Sequence, residues 1–256
     1  MWKSLAFALF FALSPAAFAA PSTAEMTAWL KIVDDRQENN GDYQSSFFLE
    51  QKEAGKSDLV YQGEIHRRDA DDKLVILFTK PTAEAGKGYL RIDNNLFFYD
   101  PTVGKWERRT ERERIGGTSS QRQDFDQSRL HVEFDPAYVA EEKLGQYAVH
   151  HMKLTAKPAV DVAYPIVEVW VDKSTNNVLK RQDFALSGKL MRTTYYPKWE
   201  KAISATKKAE VYYPKEIRIY DEVIKGNQTT VVISDVKLSA QEDATFTKAW
   251  LEARSR

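Results

Sequence analysis

The spacing of apolar residues changes twice along the chain. Met26, Trp29, Leu30 and Val33 recur at i, i+3, i+4 and i+7, which places them on one face of a helix. Just before them, Ser22-Thr23-Ala24-Glu25 has the S-x-x-E form, in which a hydroxyl and a carboxylate satisfy each other's backbone N–H groups at a helix start. The pattern predicts a first amphipathic helix ending near Asn39-Asn40-Gly41. From there to about Leu238 the period is two. Tyr43, Ser45, Phe47 and Leu49 alternate with Gln44, Ser46, Phe48 and Glu50, and Leu59, Tyr61 and Ile65 alternate with Gln62, Glu64 and His66, as half-buried antiparallel strands do.

Further strands are expected over 73–80, 88–100, 147–155, 165–172, 178–186, 189–196, 211–220 and 229–238. Asn94-Asn95, Asn176-Asn177, Ser187-Gly188 and Gly226-Asn227 punctuate them with residues that tolerate the positive φ of tight hairpin turns. Strands joined this way form a meander. Without βαβ alternation a parallel nucleotide-binding sheet is not expected. Two stretches break the series. Residues 110–130 are charged, contain the Gly116-Gly117 pair and offer Phe125 and Leu130 as apolar residues, which reads as a mobile loop. Asp135-Pro136 opens an expected short helix through Glu142, with proline at its first position. Phe246, Ala249, Trp250 and Ala253 return to helical spacing at the C-terminus, with Asp243 or Thr247 as the candidate cap.

Several strands are apolar on both faces: 73–80, Leu96-Phe97-Phe98-Tyr99 and Val167-Glu168-Val169-Trp170-Val171. Each needs cover on its second face. A long curved sheet has a concave side to fill, and here the terminal helices and the central loop are what can fill it. Amphipathic elements capping such a sheet leave an apolar groove or cavity, the usual form of a hydrophobic-ligand site.

Composition narrows the function classes. Lys+Arg 37 against Asp+Glu 37 supplies no net field to draw the chain to nucleic acid. With no cysteine there is no disulfide, thiolate metal site, cysteine nucleophile or acylated lipoprotein cysteine. The first residues read as a secretory signal: Lys3, an apolar stretch from Ser4 to Leu13, and Ala17-Phe18-Ala19 as an A-x-A cleavage site. Residues 1–19 are therefore expected to be removed, leaving 20–256 as a single exported domain. His150-His151 is an adjacent pair whose rings should point to opposite faces of a strand. No histidine has metal-ligand spacing, and neither a G-x-S-x-G elbow nor a phosphate-binding glycine loop occurs. No catalytic residue, metal or cofactor is expected, and the chain is not read as an enzyme.

The capped helix with Trp29-Leu30, the stretch Lys80-Pro81 through Gly86-Lys87-Gly88-Tyr89-Leu90-Arg91, Leu96 to Pro101, Gly117-Thr118-Ser119 leading to Asp124-Phe125, and the terminal Phe246 to Leu251 together resemble the outer-membrane lipoprotein-sorting protein family, LolA-like carriers. The likeness covers essentially all of the chain after the signal. It implies a mainly β fold, a single unclosed antiparallel β-barrel whose concave apolar side is covered by α-helices. It also implies a soluble periplasmic carrier that binds lipoprotein acyl chains or another lipid-like ligand. An inner-membrane transporter, an outer-membrane acceptor and transient membrane contact are the implied partners. On this reading Met26, Trp29, Leu30, Val33, Phe47, Leu49, Phe98, Trp170 and Tyr195 are the lid and cavity candidates, and Gly116, Gly117 and Phe125 the gate. Two other readings stay open at this point: a periplasmic sensor or accessory subunit of an export or anti-sigma complex built on the same fold, and an enzyme acting on lipid or polysaccharide.

Overall fold

The structure, a computed structural model, describes residues 20–92, 95–110 and 112–255; the expected signal segment and Asn94 of one expected turn lie outside the described residues. Helix α1 (Thr23–Gln37) starts at the expected capping box, with the Ser22 N–H donating to Glu25 Oε2 at 2.8 Å and the Glu25 N–H donating back to Ser22 Oγ at 3.3 Å. Next come β1 (Asp42–Lys52), β2 (Leu59–Arg68), β3 (Lys73–Lys80), β4 (Gly88–Ile92), β5 (Asn95–Asp100) and β6 (Lys105–Arg109). The central segment, residues 112–129, then leads into a single turn of helix, α2 (Leu130–Glu133). The remaining strands are β7 (Phe134–Leu144), β8 (Tyr147–Ala156), β9 (Ile166–Asp172), β10 (Val178–Phe184), β11 (Leu190–Ser204), β12 (Ala209–Asp221) and β13 (Gln228–Lys237). The chain closes with α3 (Lys248–Arg254), whose Thr247 cap accepts from the Trp250 N–H at 3.2 Å.

The thirteen strands of the described residues form one sheet in the order β6-β5-β4-β3-β2-β1-β13-β12-β11-β10-β9-β8-β7, every pair antiparallel. The order is linear, so the sheet stays unclosed, with β6 and β7 as its edges. The expected turns carry positive φ at Asn176 (55°), Gly188 (81°) and Gly226 (92°).

Alternation along each strand splits the core into two faces. On the inner face, Tyr43, Phe47 and Leu49 of β1 join Leu74, Ile76 and Phe78 of β3, Ile217 and Ile219 of β12, and Ile115 and Phe125 of the central segment. Further along the same face, Met26, Leu30 and Val33 of α1 pack on Met152 and Leu154 of β8 and Val167, Val169 and Val171 of β9. Tyr196 of β11 touches both groups, so they form one continuous lining.

Two expectations are corrected. Residues 135–142 are not helical: they form the edge strand β7, with Phe134 and Pro136 buried and Asp135 and Ala137 exposed. Proline is compatible with a strand that pairs on one side only, because its missing N–H faces the unpaired edge. The C-terminal helix does not help cover the concavity. Leu251 and Phe246 pack on Val75, Leu77 and Leu90, the opposite face of β3 and β4 from Leu74, Ile76 and Tyr89. This is the second-face cover that the doubly apolar strand 73–80 demands. Lys105–Arg109, for which the alternation predicts no element, is the edge strand β6, whose partners are Leu96 to Asp100.

Candidate functional site

The central segment fills the concavity instead of bridging it. Gly116 (φ 60°) and Gly117 (φ 72°) take a left-handed turn that L side chains resist, and this turn buries Ile115 against the inner face. The Gly116 N–H donates to Tyr89 Oη at 3.2 Å, and its carbonyl accepts from Tyr61 Oη at 3.1 Å. Phe125 enters from the other side, its ring 5.4 Å from that of Phe47. The sequence pattern had singled out Phe125 but passed over Ile115, which stands alone between Arg114 and the glycine pair.

Most of the segment's anchors are polar. Asp124 accepts from Arg192 of β11 through Nη2 at 2.6 Å and Nη1 at 2.9 Å, and from the Gln121 N–H at 2.8 Å. Arg192 also donates through Nε to Asp183 of β10 at 2.6 Å, and Arg181 donates to the other oxygen of Asp183 at 2.7 Å. Burial alone would push the Asp183 carboxyl up, but the two guanidinium groups outweigh it and hold it below the ordinary carboxylate range. At the other end, the Ser119 N–H donates to Gln51 Oε1 and Thr229 Oγ1, both at 3.0 Å. Asp34 of α1 accepts from Ser128 Oγ at 2.5 Å and from the His131 N–H at 2.7 Å, which ties the helix to the segment. The pairing of Asp124 with Arg192 and of Asp34 with the segment was not legible in the sequence pattern, because these partners lie 68 to 97 residues apart along the chain.

Where α1, the segment and the sheet meet, a cavity of ≈ 90 Å³ remains. Its walls include Tyr43, Phe125, Tyr196 and Trp199, with Arg122, Arg181 and Glu133 among its charged groups. Burial pushes the Glu133 carboxyl up, although Arg122 and Arg129 pull it the other way. Ligand pockets for drug-sized molecules are roughly 300–1,000 Å³, so this space is too small to be one.

Of the candidates from the sequence, Met26, Leu30 and Val33 are buried beneath α1, and Phe47, Leu49 and Phe98 line or flank the inner face. Trp29 is half-buried, its ring stacked on His150 with centroids 4.0 Å apart. Burial lowers the pKa of that histidine, with Lys173 adding to the effect. Trp170 and Tyr195 are corrected, because both face away from the cavity. Trp170 lies between the inward Val169 and Val171, stacks on His151 at 4.1 Å and sits under Lys180 at 3.8 Å. Tyr195 packs on Tyr220 on the outer side, one residue out of phase with the inward Tyr196. Since His150 meets α1 and His151 meets Trp170, the two rings do point to opposite faces. Among the described residues, no group of three His, Asp or Glu side chains could hold a metal ion.

Comparison with solved structures places this arrangement. A putative outer-membrane lipoprotein-sorting protein domain from Vibrio parahaemolyticus superposes with a TM-score of 0.79 at 16% identity, covering 90% of this chain and 100% of that one. A LolA superfamily protein from Nitrosomonas europaea gives 0.74 at 19% identity, covering 87% and 97%. A DUF1329 family protein from Desulfovibrio piger gives 0.75 at 17% identity, covering 90% and 97%. None of the three is named for a catalytic activity. A search of curated proteins finds no match. A family model described as "Uncharacterized protein" matches residues 70–253. The unclosed sheet with its covered inner face is thus the LolA-like fold the sequence resembles, and the chain belongs to the family defined by that model.

Proposed function

We propose that the chain is a periplasmic carrier, exported by a cleaved signal and starting at Ala20, that takes acyl chains or a similar lipid-like ligand onto the inner face of its sheet and moves them between membranes. On this reading it receives cargo from an inner-membrane transporter and passes it to an outer-membrane acceptor. The observation that carries it is the plug: an apolar lining continuous from β5 to β8 is covered by the protein's own α1 and central segment.

The energetics favour exchange of plug for ligand. Releasing the segment exposes Ile115 and Phe125 at roughly 1.5–3 kcal/mol each. Its carboxylates, amides and guanidinium groups regain water as they leave their partners. An acyl chain gains ~0.8 kcal/mol per buried CH₂, so about eight methylenes offset the two apolar side chains. The segment must move for this to happen, because the cavity beneath it is too small for such a chain. Gly116 and Gly117 are the gate's flexible points and Phe125 its apolar anchor.

The test is a titration with a fluorescent twelve-carbon fatty acid, combined with hydrogen exchange. Saturable binding that speeds exchange of amides in residues 112–129 supports the carrier. Absence of binding, together with native protein free of extractable lipid by mass spectrometry, overturns it.

A further inference from the structure

The strand directions sort the connections into two rims. The β1–β2, β3–β4, β5–β6, β8–β9, β10–β11 and β12–β13 connections all emerge at one end of the sheet. That end carries large apolar side chains in water. Leu186, at the β10–β11 turn, is 81% exposed, while Val223 and Ile224, at the β12–β13 turn, are 44% and 52% exposed. The two turns are neighbours: β11 pairs with β12, Arg192 lies opposite Asp221, and the Glu222 N–H donates to the Met191 carbonyl at 2.9 Å. On the next hairpin along the rim, Leu59 and Val60 are exposed as well.

The charges beside the two tips are not balanced. Arg114 pairs with Asp221 at 3.3 Å, and Lys225 pairs with Glu222. Among the described residues Arg112, exposed and donating to the Ala163 carbonyl, and Lys189, exposed on the turn itself, make no ion pair; set against the one exposed, unpaired carboxylate of the adjacent β8–β9 connection, Asp161, they leave a surplus of positive charge beside the tips. Between the tips and the central segment runs a groove of ≈ 560 Å³, which reaches from Leu186, Val223 and Ile224 to Arg192, the residue that holds Asp124.

We propose that this rim docks on an anionic phospholipid bilayer, with Leu186, Val223 and Ile224 entering the interface and Lys189 and Arg112 facing the headgroups. Apolar residues on two protruding turns are suited to a fluid surface that closes around them, and the surplus cations complement anionic lipid. Docking brings the mouth of the groove, and with it the segment's latch, to the source or destination of the ligand. This inference rests on the carrier reading for its purpose but not for its test.

The test is cosedimentation with vesicles of phosphatidylcholine containing phosphatidylglycerol, with phosphatidylcholine alone as the comparison. Wild type should bind the anionic vesicles, less as salt rises. The triple variant L186S/V223S/I224S should need about tenfold more lipid or worse, and Lys189→Glu should weaken binding without affecting the fold. Ile203→Ser, an equally exposed apolar change at the opposite end of β11, should have no effect. Because the chain has no cysteine, Leu186→Cys and Ile203→Cys can each carry one environment-sensitive dye, and only the dye at 186 should shift blue with vesicles. Equal binding by wild type and the triple variant, or no dye shift at 186, overturns the docking surface. The fatty-acid titration in free solution is unaffected by the triple variant, so loss of docking and failure of the carrier reading give different results.

Discussion

The Asp124–Arg192 pair is the strongest single tie between the central segment and the sheet, and Asp124→Asn isolates it. Both carboxylate oxygens accept hydrogen bonds, one from Arg192 Nη2 and the other from Arg192 Nη1 and the Gln121 N–H. An asparagine in the same position, whichever way its amide is turned, sets an N–H₂ donor against one of those donors. Removing one partner of a buried ion pair costs about 3–5 kcal/mol. Arg192 keeps its bond to Asp183, so the lower end, about 3 kcal/mol, applies here. That cost falls on the closed arrangement, because with the segment released both residues are hydrated. At 1.4 kcal/mol per decade it shifts the closed-to-open ratio by about two orders of magnitude. Amides in residues 112–129 should then exchange about a hundredfold faster, while those in the centre of β1, β12 and β13 keep their protection. Fatty-acid affinity should rise toward the same factor where opening limits binding. If exchange in the segment rose only in step with that of the central strands, or affinity stayed unchanged, the segment would be ordinary core and not a plug.

Trp29→Ala removes a half-buried indole and its stack on His150; it should lower the melting temperature, at about 1.5–3 kcal/mol, while leaving or increasing fatty-acid affinity. Reduced affinity would remove α1 from the role of lid. Gly63→Ala should be far more damaging than its size suggests, because its Cβ would lie 2.3 Å from the Leu77 carbonyl oxygen and 2.5 Å from the Phe47 ring. Circular dichroism melts would show this as a large loss of stability. Asp183 has a folded pKa below its unfolded value of about 3.9, so its contribution is fully present above that pH and is lost as pH falls through the lowered value. Urea titrations below pH 4 should show that loss, and Asp183→Asn should flatten it. Glu133 works in the opposite sense: its folded pKa is raised, so stability falls as pH rises above about 4.3, and Glu133→Gln should raise the melting temperature at pH 7.

Local chemistry was enough to determine much of this fold. The S-x-x-E start and the Met26, Trp29, Leu30, Val33 spacing specify α1 because a cap and an apolar stripe act within a few residues. Alternation specifies most strands and the two sides of His150-His151 for the same reason. Where propensity and context compete, the tertiary structure decided. Pro136 is as compatible with a helix start as with an edge strand, and only the pairing of β7 with β8 selects the strand. Trp170 and Tyr195 look like cavity residues by type, but their phase relative to Val169 and Tyr196 turns them outward. The side on which α3 packs was likewise undetermined, since residues 73–80 present apolar side chains to both faces. The plug shows the limit most clearly. Its charges read as a solvated loop because Asp124 meets Arg192, and Ser119 meets Gln51 and Thr229, only when a curved sheet brings residues about 70 to 110 positions apart to within hydrogen-bond distance. Pairings at that range leave no periodicity in the chain, because the curvature of the sheet and not the spacing of neighbours sets them.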